Sequence, residues 1–216
     1  MSGVKLYEYW RSSAAYRLRI ALNLKAIDYE SEVVNIAPGA DEQFGDAYKT
    51  LNPQMRVPSI EVDGQVAGQS MAILEWIEET WAAPALLPAD PWKRLKVRGF
   101  ADVIACDIHP LNNLSVLAKL GSDFSASKDA VGEWYRDWII RGFTALEAMV
   151  AESDLNSALL FGDEPTLAEV CLVPQMYNAR RFDTPLDAFP RLVDADAKCR
   201  EIDAFKRAAP DAVKPD

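Results

Sequence analysis

With 216 residues, 50% of them apolar and 26% charged, the chain can bury a substantial core, as one domain or two small ones. Its formal net charge of −10 is spread along the chain, so no basic half exists to grip a phosphate backbone, and nucleic-acid binding is not expected. Three cysteines without a CxxC pair (Cys106, Cys171, Cys199) suit a reducing, cytoplasmic setting better than a disulfide framework, and no targeting or membrane-spanning run is read.

Val4-Lys5-Leu6-Tyr7-Glu8-Tyr9 alternates apolar and polar residues and predicts a strand. Leu18, Ala21 and Leu22 then recur at helical spacing. Arg11-Ser12-Ser13 sits where strand hands over to helix. A helix start carries unpaired N–H groups and partial positive charge, so it stabilises an anion. The two serines either cap the helix or hold a small anion such as a thiolate, and local sequence leaves both readings open.

Tyr29 to Val34 predicts a second strand, and Asp41 to Leu51 a short irregular helix. Pro58 stands at the mouth of a third strand, where its missing N–H is tolerated. Asp63-Gly64 is a tight-turn signal returning the chain as Gln65-Val66-Ala67. Gln69-Ser70 opens a helix with Ile73, Leu74, Trp76 and Ile77 on its apolar face. The stretch 82–91, with prolines at 84, 88 and 91, reads as a linker. Beyond it the pattern is helical, over 92–120, 128–151, 166–178 and 195–207, with a frayed tail from Pro210. Thr166-x-x-Glu169 is a capping box. Trp134, Trp138 and Phe143 read most simply as core, and no cluster has metal-ligand spacing.

Arg11-Ser12-Ser13, Asn52-Pro53 with Val57-Pro58, Gln69-Ser70 and Thr166-Leu167-Ala168-Glu169, in that order, resemble the glutathione transferase family. Ile108-His109-Pro110-Leu111-Asn112-Asn113-Leu114 and Val173-Pro174-Gln175-Met176-Tyr177-Asn178-Ala179-Arg180-Arg181-Phe182 look like its zeta class, which includes maleylacetoacetate and maleylpyruvate isomerases. The resemblance spans nearly the whole chain. It implies an α/β plus all-α architecture: a thioredoxin-like N-terminal domain over 1–83, a linker over 84–91, and an all-helical C-terminal domain over 92–216. A homodimer with glutathione as cosubstrate and a small dicarboxylate as substrate is implied as well. One departure is Ala14, where the class usually has cysteine; a mechanism needing a protein thiol there is ruled out.

Glutathione chemistry needs an ionised thiol near neutral pH, which hydroxyl donors at a helix N-terminus favour. The resemblance gives the thiolate to Ser12, with Ser13 next, and leaves Tyr9 aside. It makes Pro58 a cis proline that frees the Val57 N–H and C=O to pair with the cysteinyl backbone. Ser70 with Gln69 would hold the γ-glutamyl carboxylate, and Gln43, His109, Asn113 and Ser115 would contact glutathione. His109, the only histidine, reads as structural by itself; the resemblance makes it a binding group rather than an obligatory catalyst. Arg11 and Arg181 would stabilise the enolate and clamp the dianion, Arg181 being favoured over its neighbour Arg180.

The implied activity is glutathione-dependent cis–trans isomerisation of maleylacetoacetate to fumarylacetoacetate, with transferase activity and without a metal. Maleylpyruvate isomerisation is the near alternative. Ser115, where some of those enzymes carry arginine, tilts the reading toward the larger substrate. A general detoxifying transferase and a non-catalytic scaffold are the wider alternatives.

Overall fold

β1 (Val4–Glu8) is the central strand of the first unit, and its alternation buries both faces. Val4, Leu6 and Glu8 are buried, and so is Tyr7, which joins Val34 and Tyr48 in a cluster packed by Ile36, Leu51 and Val57. α1 (Ser13–Leu24) carries the chain across to β2 (Tyr29–Val33), which lies parallel to β1, as a helical crossover allows. A 3₁₀ turn (Glu42–Phe44) and α2 (Asp46–Leu51) precede β3 (Ser59–Val62) and β4 (Gln65–Gly68). The last two strands form a hairpin, and the sheet order is β2-β1-β3-β4 with β3 antiparallel to β1. Asp63 and Gly64 both take positive φ, 51° and 75°, as a type I′ turn requires. α3 (Ser70–Thr80) then packs beside α1.

The structure, a computed structural model, describes residues 3–151 and 157–215; the outermost residues of the sequence-based division, 1 and 216, lie outside that range. It resolves into two compact units: the chain through Leu86 together with the segment from Glu201, and Leu87–Arg200. The sequence division placed that last segment with the helical part. In the structure α9 (Asp203–Ala208) packs on α1, and Ala208 and Ala204 carbonyls accept hydrogen bonds from Arg19 Nε and Asn23 Nδ2 at 2.9 and 3.0 Å. Pro210–Val213 form a further short helix, α10, rather than a frayed tail, and Pro210 is buried.

α1 is buried almost all round, including Arg17 and Arg19. A guanidinium is tolerated there only with partners. Arg19 pairs with buried Glu8 and donates to the Trp10 carbonyl, while Glu8 also accepts from Ser31 Oγ at 2.7 Å. The proline-rich stretch is anchored rather than loose. Leu86 and Leu87 are buried, Leu86 N–H donates to the Glu78 carboxylate, and Lys25 Nζ reaches both Glu78 and the Pro84 carbonyl at 2.8 Å.

The chain beyond residue 91 departs from the sequence pattern at two helix breaks. The single helix expected over 92–120 is α4 (Pro91–Asp102), a π-helical turn (Val103–Ile108) and α5 (Leu114–Phe124). Pro110 has no N–H to extend the ladder, and Asn113 starts a new helix as its N-cap. Gly142 lets α6 (Lys128–Met149) close on the π turn, since a Cβ there would lie 2.3 Å from Ile108. The segment expected over 195–207 is likewise split: α8 (Pro190–Cys199) starts with proline in its first turn, and α9 follows separately.

α7 (Leu167–Arg181) runs farther than expected and begins at the capping box read from the sequence. The Glu169 carboxylate accepts from Thr166 N, Thr166 Oγ1 and Leu160 N at 2.8, 2.7 and 3.0 Å. In α6 the core stripe is Tyr135, Ile139, Phe143 and Leu146. Trp134 and Trp138, expected as core, are half-buried one position off that stripe, and Trp134 Nε1 donates to the Leu111 carbonyl at 2.9 Å.

Candidate functional site

The sheet unit gathers most of its candidates in three chain segments. At the start of α1, Ser12 is the N-cap with φ −67° and ψ 117°, and its Oγ accepts from Ala15 N at 3.3 Å. Capping and anion binding are compatible, because an oxygen that accepts can still donate its own proton. Ser13 is buried in the first turn. Arg11 is half-buried with its guanidinium 5.4 Å from the Trp10 ring centroid.

The second segment is the loop before β3. The Val57–Pro58 peptide is cis. Neither the N–H nor the C=O of Val57 makes a hydrogen bond to another described residue, leaving both for an extended backbone laid alongside. Buried polar side chains that sequence reading had not assigned hold this loop. Asn52 Nδ2 donates to the Arg56 carbonyl at 2.8 Å and to Ser59 Oγ at 3.0 Å, and its Oδ1 accepts from Gln54 N. Tyr48 OH donates to the same Arg56 carbonyl at 2.7 Å. Burial of Tyr48 pushes its phenol pKa upward, so it stays a neutral donor. Asn52-Pro53 was visible as a motif, but not its task, which needs the turn to be folded.

The third segment opens α3. Gln69, not Ser70, is the N-cap residue; it has φ 70° and ψ 102°, and its side chain bonds Gln54 Oε1 at 2.9 Å instead of capping. A non-glycine residue held at positive φ costs about 1–3 kcal/mol, and such strain concentrates at ligand clamps. Ser70 is the first helical residue, and its Oγ accepts from buried Arg17 Nη1 at 3.2 Å. Gln43, in the 3₁₀ turn, is buried, and its Oε1 has no hydrogen-bond partner among the described residues.

The other candidates belong to the helical unit. His109 ends the π turn, its N–H bonded to the Ile104 carbonyl at 2.9 Å. Asn113 caps α5, its Oδ1 accepting from Ser115 N at 3.1 Å and Ser115 Oγ at 2.9 Å. Asn113 and Ser115 are thus first of all a capping pair, and the Asn113 amide N–H groups donate to no described residue. At the end of α7 the two arginines separate. Arg180 is committed to buried Asp196 at 2.6 Å, which Arg200 also reaches. Arg181 bonds Asn178 Oδ1 at 3.4 Å and lies over the Phe182 ring, which stacks on Tyr135 with centroids 3.5 Å apart. Arg181 is exposed.

Burial drives the Cys199 thiol far up, out of nucleophile range, and Ala14 supplies no sulfur at the α1 start. The geometry is that of a sheet unit offering hydroxyls, helix N-termini and a free peptide edge to a peptide-like ligand. A family profile described as "Glutathione S-transferase, N-terminal domain" matches residues 11–80, the span holding these three segments. Over 99% of both chains the sequence is 48% identical to a maleylpyruvate isomerase of Ralstonia sp.. A solved maleylpyruvate isomerase, described as a bacterial zeta-class glutathione S-transferase, superposes with a TM-score of 0.94 at 47% identity, over 97% of this chain and 98% of that one. The chain belongs to the zeta-class glutathione S-transferases.

The maleylacetoacetate isomerase of Anaeromyxobacter dehalogenans 2CP-1, solved with bound GSH in its active site, is also similar to this transferase. Its TM-score is 0.86 at 41% identity, over 98% of this chain and 97% of that one. The residues present fit such a ligand on their own terms. The Val57 peptide edge matches an extended cysteinyl backbone, and the buried Gln43 Oε1 awaits a donor. The start of α3, backed by Arg17, suits a carboxylate.

Proposed function

We propose that this transferase is a glutathione-dependent isomerase that turns maleylacetoacetate into fumarylacetoacetate and also conjugates glutathione to electrophiles. The observation that carries the reading is the hydroxyl-capped start of α1 at Ser12, in a chain without a cysteine of its own there. Similarity over essentially the full length to isomerases of maleylpyruvate and maleylacetoacetate supports it.

Bound glutathione supplies the sulfur nucleophile whose reversible addition to the conjugated double bond lets that bond rotate. The chain's residues do the rest. Ser12 Oγ–H and the N–H groups of the α1 first turn hold the sulfur as an anion, with Ser13 behind them. Val57 aligns the tripeptide as an added strand, Ser70 and Gln69 take its γ-glutamyl carboxylate, and Gln43, Pro58, His109, Asn113 and Ser115 complete the contacts. Arg181 binds a carboxylate of the substrate, and Arg11 stabilises the negative charge that addition places on the conjugated oxygen. Arg180 is tied to Asp196, which supports the choice of Arg181.

In this reading the enzyme is a cytoplasmic homodimer of tyrosine and phenylalanine catabolism. Maleylpyruvate is the second reading, favoured by the 48% identity to the Ralstonia enzyme. An ultraviolet absorbance assay of both maleyl substrates, with and without glutathione, tests the proposal. Turnover of maleylacetoacetate only when glutathione is present supports it. Exclusive turnover of maleylpyruvate transfers the assignment, and retention on glutathione resin without turnover of either substrate points to a binding protein.

A further inference from the structure

α1 buries two arginines, Arg17 and Arg19. Arg19 is tied into the frame: Glu8, the Trp10 carbonyl and the Ala208 carbonyl take its donors. Arg17, only 1% exposed, sends Nη1 to Ser70 Oγ at 3.2 Å, a hydroxyl on the first residue of α3. An apolar residue would fill a core helix position at far lower desolvation cost, so a guanidinium aimed at a helix start calls for a reason.

We infer that Arg17 is a positioning residue for the γ-glutamyl carboxylate of glutathione, acting through Ser70; this rests on the glutathione reading above. A serine hydroxyl has one proton and two lone pairs, and a guanidinium can only donate. The Arg17 N–H occupies a lone pair of Ser70 Oγ, so the serine proton cannot turn back toward Arg17 and is set as a donor toward an external acceptor. Gln69, the N-cap residue of α3, makes no side-chain cap bond and is turned to Gln54, so the helix start offers its partial positive charge to an anion. The buried guanidinium adds a full charge behind that hydroxyl, in surroundings that screen it less than water does. Arg17 also shares a helix with Ser12, so one rigid element fixes both the carboxylate contact and the thiolate cap.

The test is equilibrium binding, by calorimetry, of glutathione and of an analogue whose γ-glutamyl residue is replaced by 4-aminobutyryl and so lacks only that carboxylate. The wild-type protein is expected to prefer glutathione by about 10- to 100-fold, the range for a charge-assisted contact. Arg17→Met is expected to weaken glutathione to the level of the analogue while leaving the analogue unchanged, and Arg17→Lys to retain part of the preference. Equal weakening of both ligands in Arg17→Met means a merely structural residue and overturns the inference. If circular dichroism shows Arg17→Met unfolded, Arg17→Lys and Ser70→Ala decide: a reduced preference in both supports the coupling, and an intact preference in either overturns it. A wild-type protein that binds neither ligand overturns the glutathione reading itself, and this inference with it.

Discussion

At the scale of single residues, Ser12 has two tasks that can be separated. Its Oγ caps α1, and the same hydroxyl is proposed to hold a thiolate. Ser12→Ala should cost about 1 kcal/mol of stability as a lost cap, and lower kcat by about 10²–10³-fold as a lost anion donor. The thiolate absorbance of bound glutathione, titrated against pH, should move toward higher pH in the variant. An unmoved titration would assign Ser12 to capping alone. The adjacent arginines offer a matched contrast. Arg181→Ala should raise KM for the ene-dioate far more than KM for glutathione, with the melting temperature little changed. Arg180→Ala should instead lower the melting temperature, since it strips a partner from Asp196, whose side chain is fully buried. Equal rises of the two KM values in Arg181→Ala would refute the clamp.

At the scale of elements, α6 and the end of α7 are joined by the Tyr135–Phe182 stack. Burial raises the Tyr135 phenol to about 12 despite the nearby Arg181 charge, which pulls the other way. The sign follows from which state ionises first. Above pH 10 the unfolded chain releases the tyrosyl proton while the folded chain keeps it, so stability present below pH 10 is lost as pH climbs toward 12. Tyr135→Phe keeps the stack and removes the ionisation. Its urea midpoint should therefore fall less steeply between these pH values than that of the wild type, and parallel curves would mean that Tyr135 ionises freely in the folded protein. The π turn at Val103–Ile108 belongs to this scale too, since it stands directly before His109 and packs on α6 through Gly142.

At the scale of the whole molecule, the segment from Glu201 completes the sheet unit. Phe205 is 1% exposed, and α9 lies on α1. Phe205→Ala should destabilise the protein by about 3–5 kcal/mol, the usual cost of emptying an aromatic core position. Glutathione affinity measured well below the melting temperature should persist. A melting temperature unchanged by the substitution would show that the segment is peripheral.

The sequence by itself determined the order of strands and helices in the first eighty residues, because period-two and helical patterns there are unbroken and Asp63-Gly64 admits little but a tight turn. It also marked Ser12, Val57-Pro58 and Ser70 by motif, and the capping box at Thr166 by chemistry. Tertiary structure decided what local pattern cannot encode. The helix expected over 92–120 opens into a π turn at Val103–Ile108, against which α6 closes at Gly142. Residues 201–215 join the sheet unit because Arg19, buried in α1, donates to a carbonyl of α9. Arg17 has no visible role in the sequence, since the value of its buried charge depends on a hydroxyl 53 positions away in the chain, and only folding brings the two within hydrogen-bond reach.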